Sequence, residues 1–411
     1  MRPWRIAPNE WERADYRAAA AVAAVDIPVS PDDPHAPYTV YKADVSYFSG
    51  KLEAYLRYKG IDHRPVEVDA RIMNREVFPA VGVKKVPVVR TSDGLWLYDT
   101  TPCIAWFEAR YPAHPVLPED PALRFIALLI EDYADEWLWR PAMWWRWEPV
   151  VSRLALGRAI AELGLFPGMP KGLAGRLFAS RQRHLWLWGD GVNRSNAPAV
   201  RQLYLDELAV LEPVLRRQPY LLGAQPSVAD FGYFASMFRH FGNDPDPAEL
   251  MRREAPAVYA WTARLWNARA DASDATAVWG WPDAPDWAPL WNRIVGDYLP
   301  YLHQNALAYR AGRKRFDFTG RSLNFAGTVT DHYRVWCRQA LQRRHGELDA
   351  NARTRVAQLL APAGGPDALL ADGEIDAGLD KRYRLPQPAG RYRQSWLSLL
   401  LGQPRNVSRR D

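Results

Sequence analysis

One change of hydrophobic period, close to residue 118, governs what this chain can fold into. Before it, strand-like and helix-like stretches take turns. The run "YTVYKAD" from Tyr38 alternates as a strand. "YFSGKLEAYLRYKG" then sets Leu52, Tyr55, Leu56 and Lys59 at helical spacing, with Gly60 in the position that ends helices. "HRPVEV" reads as a second strand and "RIMNREVFPAV" as a short helix. "VPVVRTSDGLWLYDT" holds two apolar strand runs around a Ser-Asp-Gly turn, the pattern of a hairpin. A helix from about Thr101 to Arg110 follows, and Pro112 stops it. Two parallel strands joined by a crossover helix, plus a hairpin at the sheet edge, make a small α/β layer.

After "HPVLPED" the pattern is helical alone. Helices are expected over Pro121 to Trp147 with an interruption at Pro141, and over Ala174–Leu187, Ala199–Arg217, Val228–Phe241 and Val258–Ala270. Ser227 with Asp230 three residues on forms a capping-box variant. Residues 1–37 read as an alanine-rich helix and a proline-rich linker, 38–113 as the α/β unit, 121–270 as an all-α domain, and 271–411 as a mostly helical extension. In the extension, helices are expected at Trp291–Ala311 and Val329–Arg344, with a hairpin about Thr319-Gly320 between them. Its many aromatics, among them Trp291, Tyr298, Phe318 and Trp336, predict a structural addition packed on the all-α domain. The stretch after Leu360 is rich in glycine, proline and acid and is expected to lack firm order, ending in a solvated basic tail.

Composition narrows the function. A net charge of +6 with acids interspersed gives a modest field, so no nucleic-acid partner is expected. Two cysteines, Cys103 and Cys337, are too few for a disulfide framework and point to a reducing, cytoplasmic setting. No apolar run reaches the length of a membrane span. The histidines show no metal-ligand spacing, so no metal site is expected, and no Gly-x-Ser-x-Gly elbow occurs. The nineteen tryptophans fit either an aromatic core or an aromatic-lined cavity.

Four segments, "SYFSGKLEAYLRYKGI", "KKVPVV", "LYDTTPCIAWFEARYP" and "YLLGAQPSVADF", resemble in order and spacing the cytosolic glutathione S-transferase family. The resemblance spans roughly Tyr38 to Trp266. It implies a thioredoxin-like N-terminal domain followed by a helical domain, with glutathione as co-substrate and a homodimer as the assembly. "SYFSGKL" lies over the serine-class wording Ser-Pro-Phe-Ser-Arg-Lys-Val, with Tyr47 in place of the proline and Gly50 in place of the basic residue. The resemblance thus implies Ser46 as the residue facing the glutathione sulfur, with Ser49 beside it at the helix start. It also implies a cis bond before Pro87, with the Val86 backbone pairing the cysteinyl part and Lys85 meeting the glycyl carboxylate. Asp99 and Thr100 would hold the γ-glutamyl end. A second substrate, an unidentified apolar electrophile, is expected beside Tyr47 and Phe48 and along "EDYADEWLWRPAMWWRWEP", with Tyr133, Trp137, Arg140 and Trp144 as its wall.

The chemistry behind these expectations is elementary. A thiol of ordinary pKa near 8.5 is only a few per cent thiolate at neutral pH. One hydroxyl donor together with the positive end of a helix supplies the stabilisation an anion needs. The residues also fit plainer roles: Ser46 as a helix cap, Pro87 as the start of a strand, Asp99 and Thr100 as caps, and the aromatic stripe as core. Two functions follow: a serine-type glutathione transferase, detoxifying electrophiles, or a binding or assembly module of the same fold that no longer activates thiol.

Overall fold

The computed structural model describes residues 33–164, 168–270 and 278–393. The expected N-terminal helix, the first half of its linker and the basic tail lie outside the described residues. β1 (Tyr38–Lys42) runs parallel to β2 (His63–Glu67) and antiparallel to β3 (Val88–Arg90), which pairs with β4 (Trp96–Tyr98), so the sheet order is β2-β1-β3-β4. A parallel pair needs a crossover, and α1 (Tyr47–Lys59) supplies it, closed by Gly60 at φ 67°. Pro65 faces Val40 from the outer strand, where a missing N–H is tolerated. The Ser-Asp-Gly turn joins β3 to β4, and α2 (Thr100–Arg110) follows directly. This is a thioredoxin-like layer.

The second part is helical: α3 (Pro121–Glu136), α4 (Trp139–Trp147), α5 (Val150–Glu162), α6 (Lys171–Gln182), α7 (Ala197–Arg217), α8 (Val228–Ser236), α9 (Pro245–Glu254) and α10 (Pro256–Asn267). The interruption expected at Pro141 falls instead at Trp137 and Leu138. Pro141 sits in the first turn of α4, where its absent N–H would have no partner in any case. The expected capping box is formed, with Ser227 and Asp230 serving each other's backbone. Helices α3 and α8 meet backbone to backbone, because a Cβ on Gly232 would lie 2.7 Å from Glu131 Cα.

Beyond residue 278 come α11 (Leu299–Arg310), the β5–β6 hairpin (Arg315–Thr319, Asn324–Val329), α12 (His332–Gly346) and α13 (Ala350–Leu360). These pack into the same core as the helical domain. The indole of Trp137, 1% exposed, is the joint: its ring meets Tyr301 at 5.6 Å, Phe318 at 6.0 Å and Phe325 at 6.1 Å, all from the extension. Arg140 lies beside it, its guanidinium 4.4 Å from the Phe325 ring centre and bonded to Tyr301 Oη at 2.7 Å.

The stretch after Leu360 departs from expectation. It is tied down as far as Tyr392 by main-chain bonds that no composition argument reveals. Gln387 and Trp96 exchange N–H···O bonds of 2.8 Å in both directions, so this strap pairs with the open edge of β4. Gly390 N–H then donates to Ala80 O at 2.7 Å and Tyr392 N–H to Pro79 O at 3.0 Å.

Candidate active site

The site begins where β1 gives way to α1. Ser46 has extended backbone and caps the helix, its Oγ accepting the Ser49 N–H at 3.3 Å. Its own O–H donates to the Val86 carbonyl, also at 3.3 Å. Ser46 is half-buried. Ser49 is not: it is 1% exposed, and its Oγ accepts the Ala43 N–H at 3.2 Å, so it holds the β1–α1 turn shut. The expected cis bond between Val86 and Pro87 is present, and Lys85 beside it is exposed.

Asp99 stands at the start of α2 with φ 68° and ψ 128°, a backbone conformation costly for any residue with a Cβ. Its carboxylate is not spent on capping the helix. Oδ1 instead accepts the phenol of Tyr333, from α12, at 2.9 Å, and Oδ2 has no hydrogen bond among the described residues. Burial pushes the Asp99 carboxyl up, while Lys85 and the Tyr333 phenol pull it back. Thr100, the first residue of α2, is buried.

Two side chains from the helical domain, Arg146 and Arg239, set the Ser46 loop, and neither stands out by spacing. Arg146 in α4 forms a two-pronged bond to Asp244, at 2.7 and 2.8 Å, and donates to the Val45 carbonyl at 2.7 Å. Arg239 reaches Asp44 at 3.1 Å and Glu53 at 3.2 Å and lies on Gly50, where a Cβ would be 2.5 Å from its Cγ. A side chain at position 50 would therefore collide with Arg239, which covers the position from another helix. Tyr47, in place of the proline, donates to Ala134 O at 2.6 Å and ties α1 to α3.

Of the expected substrate wall, Phe48 is half-buried and stacks on Trp139, with centroids 6.3 Å apart and rings 13° from parallel. Trp139 also meets Tyr47 and Trp186, so it is the aromatic that the α4 run brings to the Ser46 loop. Tyr133, Trp137 and Arg140 turn to the other side of that run. Tyr133 donates to Glu207 at 2.6 Å, and Trp137 and Arg140 are enclosed by the extension. Trp144 packs edge-on against Trp145. Tyr333 is half-buried, and nothing in the sequence pairs it with Asp99.

Among the described residues, no group of histidine, cysteine, aspartate or glutamate is arranged to hold a metal ion, and no helix is long and apolar enough to cross a membrane.

A thioredoxin-like layer with a serine-capped first helix, a cis proline beside it and an all-helical second domain defines the glutathione S-transferase architecture. Residues 40–115 match the family model for the glutathione S-transferase N-terminal domain, and residues 179–268 the model for the C-terminal domain. Residues 40–115 and 179–268 thus carry the two domains of the glutathione S-transferase family. No curated protein matches it. Solved structures similar to it include a glutathione S-transferase from Rhodospirillum rubrum F11, at 18% identity over 55% of this chain and 86% of that one, TM-score 0.39. The beta-etherase LigF from Sphingobium sp. strain SYK-6 is similar at 21% identity over 56% and 94%, TM-score 0.40. FzlA from C. crescentus is similar at 19% identity over 56% and 87%, TM-score 0.37.

Proposed function

We propose that this chain binds glutathione at the junction of β1, α1 and the Val86-Pro87 step, and stabilises its thiolate for attack on an apolar electrophile. The observation that carries the reading is the hydroxyl of half-buried Ser46, at a helix N-terminus and engaged only by neighbours it can exchange. To serve a sulfur, its O–H leaves the Val86 carbonyl and points to the thiolate. That carbonyl then accepts the cysteinyl N–H, so the ligand replaces one hydrogen bond with two. Asp99 Oδ2 is left to take the γ-glutamyl ammonium, and exposed Lys85 the glycyl carboxylate. The electrophile would lie over Phe48 and Trp139.

A second reading is favoured by one contact. Tyr333 already occupies Oδ1 of Asp99, as it would in a binding module whose site has been taken over by its own extension. Titration calorimetry with reduced glutathione separates the two. Saturable binding that weakens in Lys85→Ala supports the transferase reading, and no heat at millimolar ligand supports the module.

A further inference from the structure

Ten large apolar side chains are exposed among the described residues, and seven of them fall between Val150 and Trp188. They lie on the hairpin of α5 and α6 and the turn after it, with Val151, Leu154, Leu173 and Leu177 each 46–59% exposed. A Cβ on Gly157 would lie 2.8 Å from the Gly175 carbonyl oxygen, so the two helices meet backbone to backbone; Val150, Val151, Leu154 and Arg158 are exposed along one side of α5, and Leu173, Arg176, Leu177 and Ser180 along one side of α6. An exposed apolar face of this kind marks an interaction surface.

Charge selects the partner. The same stretch carries six arginines and lysines against one carboxylate, Glu162, which is shared by Arg158 at 3.6 Å and Lys171 at 3.7 Å. Arg176 and Arg181 are exposed and make no ion pair among the described residues. Two copies of the chain meeting through this face would set like charges together, because a two-fold interface brings a patch onto itself. An anionic lipid surface has no such penalty. It accepts apolar side chains at the depth of the headgroups and holds the surrounding cations.

We propose that the α5–α6 hairpin docks the protein on a bilayer bearing acidic phospholipid, with Leu154, Leu173 and Leu177 inserted and Arg158, Arg176 and Arg181 on the headgroups. The proposal does not depend on the transferase reading, because none of these residues belongs to the Ser46 site.

The test is flotation of the full chain with phosphatidylcholine vesicles, with and without phosphatidylserine. The expected result is binding only to the phosphatidylserine vesicles, reversed by salt. The pair Leu154→Ser and Leu177→Ser should lower the partition coefficient by at least about tenfold with the circular-dichroism melt unchanged. Arg158→Glu with Arg176→Glu should lower it similarly. No flotation with phosphatidylserine, or flotation unaffected by either pair, overturns the proposal. So does a concentration-dependent dimer that the leucine pair abolishes in the absence of any vesicle binding, because the face then belongs to a second copy.

Discussion

Tyr333 donates its phenolic hydrogen to Asp99 across 234 residues of chain, linking the extension to the start of the last helix of the thioredoxin-like layer. The bond leaves one carboxylate oxygen open and fixes the direction of the other. If Tyr333 orients Asp99 for an ammonium ligand, Tyr333→Phe keeps the ring and removes only the donor. Glutathione affinity should then fall by about tenfold, the worth of one charge-assisted hydrogen bond. Tighter binding in the variant would mean that the phenol blocks the carboxylate.

Lys51 is buried in the seam between the two domains, its Nζ 2.5 Å from Glu131 Oε1 and also bonded to Asp135. Lys51→Met strands two carboxylates out of water and should cost about 3–5 kcal/mol in urea unfolding. Adding Glu131→Gln and Asp135→Asn should recover most of that loss. A small effect of the single change would mean that water reaches the seam.

How far the residues themselves announce this fold depends on whether a signal is local. The α1 start at Ser46, the hairpin at Ser92-Asp93-Gly94 and the capping box at Ser227 are decided within a few residues, and all are legible. Helix α5 was not expected. Its "VVSRLALGRAIAE" places Val150, Val151 and Leu154 toward solvent, so no clean apolar stripe marks it. Trp137 and Arg140, three apart, share a helical face that Trp139 does not, but only the packed extension shows which side of that run is core. The Gln387–Trp96 pairing and the Tyr333–Asp99 bond join residues far apart in sequence and have no local signature.

Asp132 gives a pH signature. Burial raises its carboxyl to about 7 from the ordinary 3.8, with Tyr298 donating to it and Glu131 and Glu136 adding like charge. Between those values the folded chain holds a proton that the unfolded chain has lost, so this group's contribution to stability falls as pH rises through the window. Asp132→Asn keeps an acceptor for Tyr298 and removes the titration. From pH 4 to 7 the wild type should lose on the order of 2–4 kcal/mol relative to the variant in denaturant titrations. Parallel profiles would show that Asp132 ionises normally.

The central claim is that Ser46 holds a thiolate. It is tested by following the ultraviolet absorbance of the glutathione thiolate, bound to the protein, as a function of pH in the wild type and in Ser46→Ala. The account predicts a bound thiol pKa about two units below the free value near 8.5, returning most of the way in the variant while glutathione still binds. A wild type that binds glutathione with an unshifted thiol, or a Ser46→Ala protein whose thiol stays depressed, would contradict it.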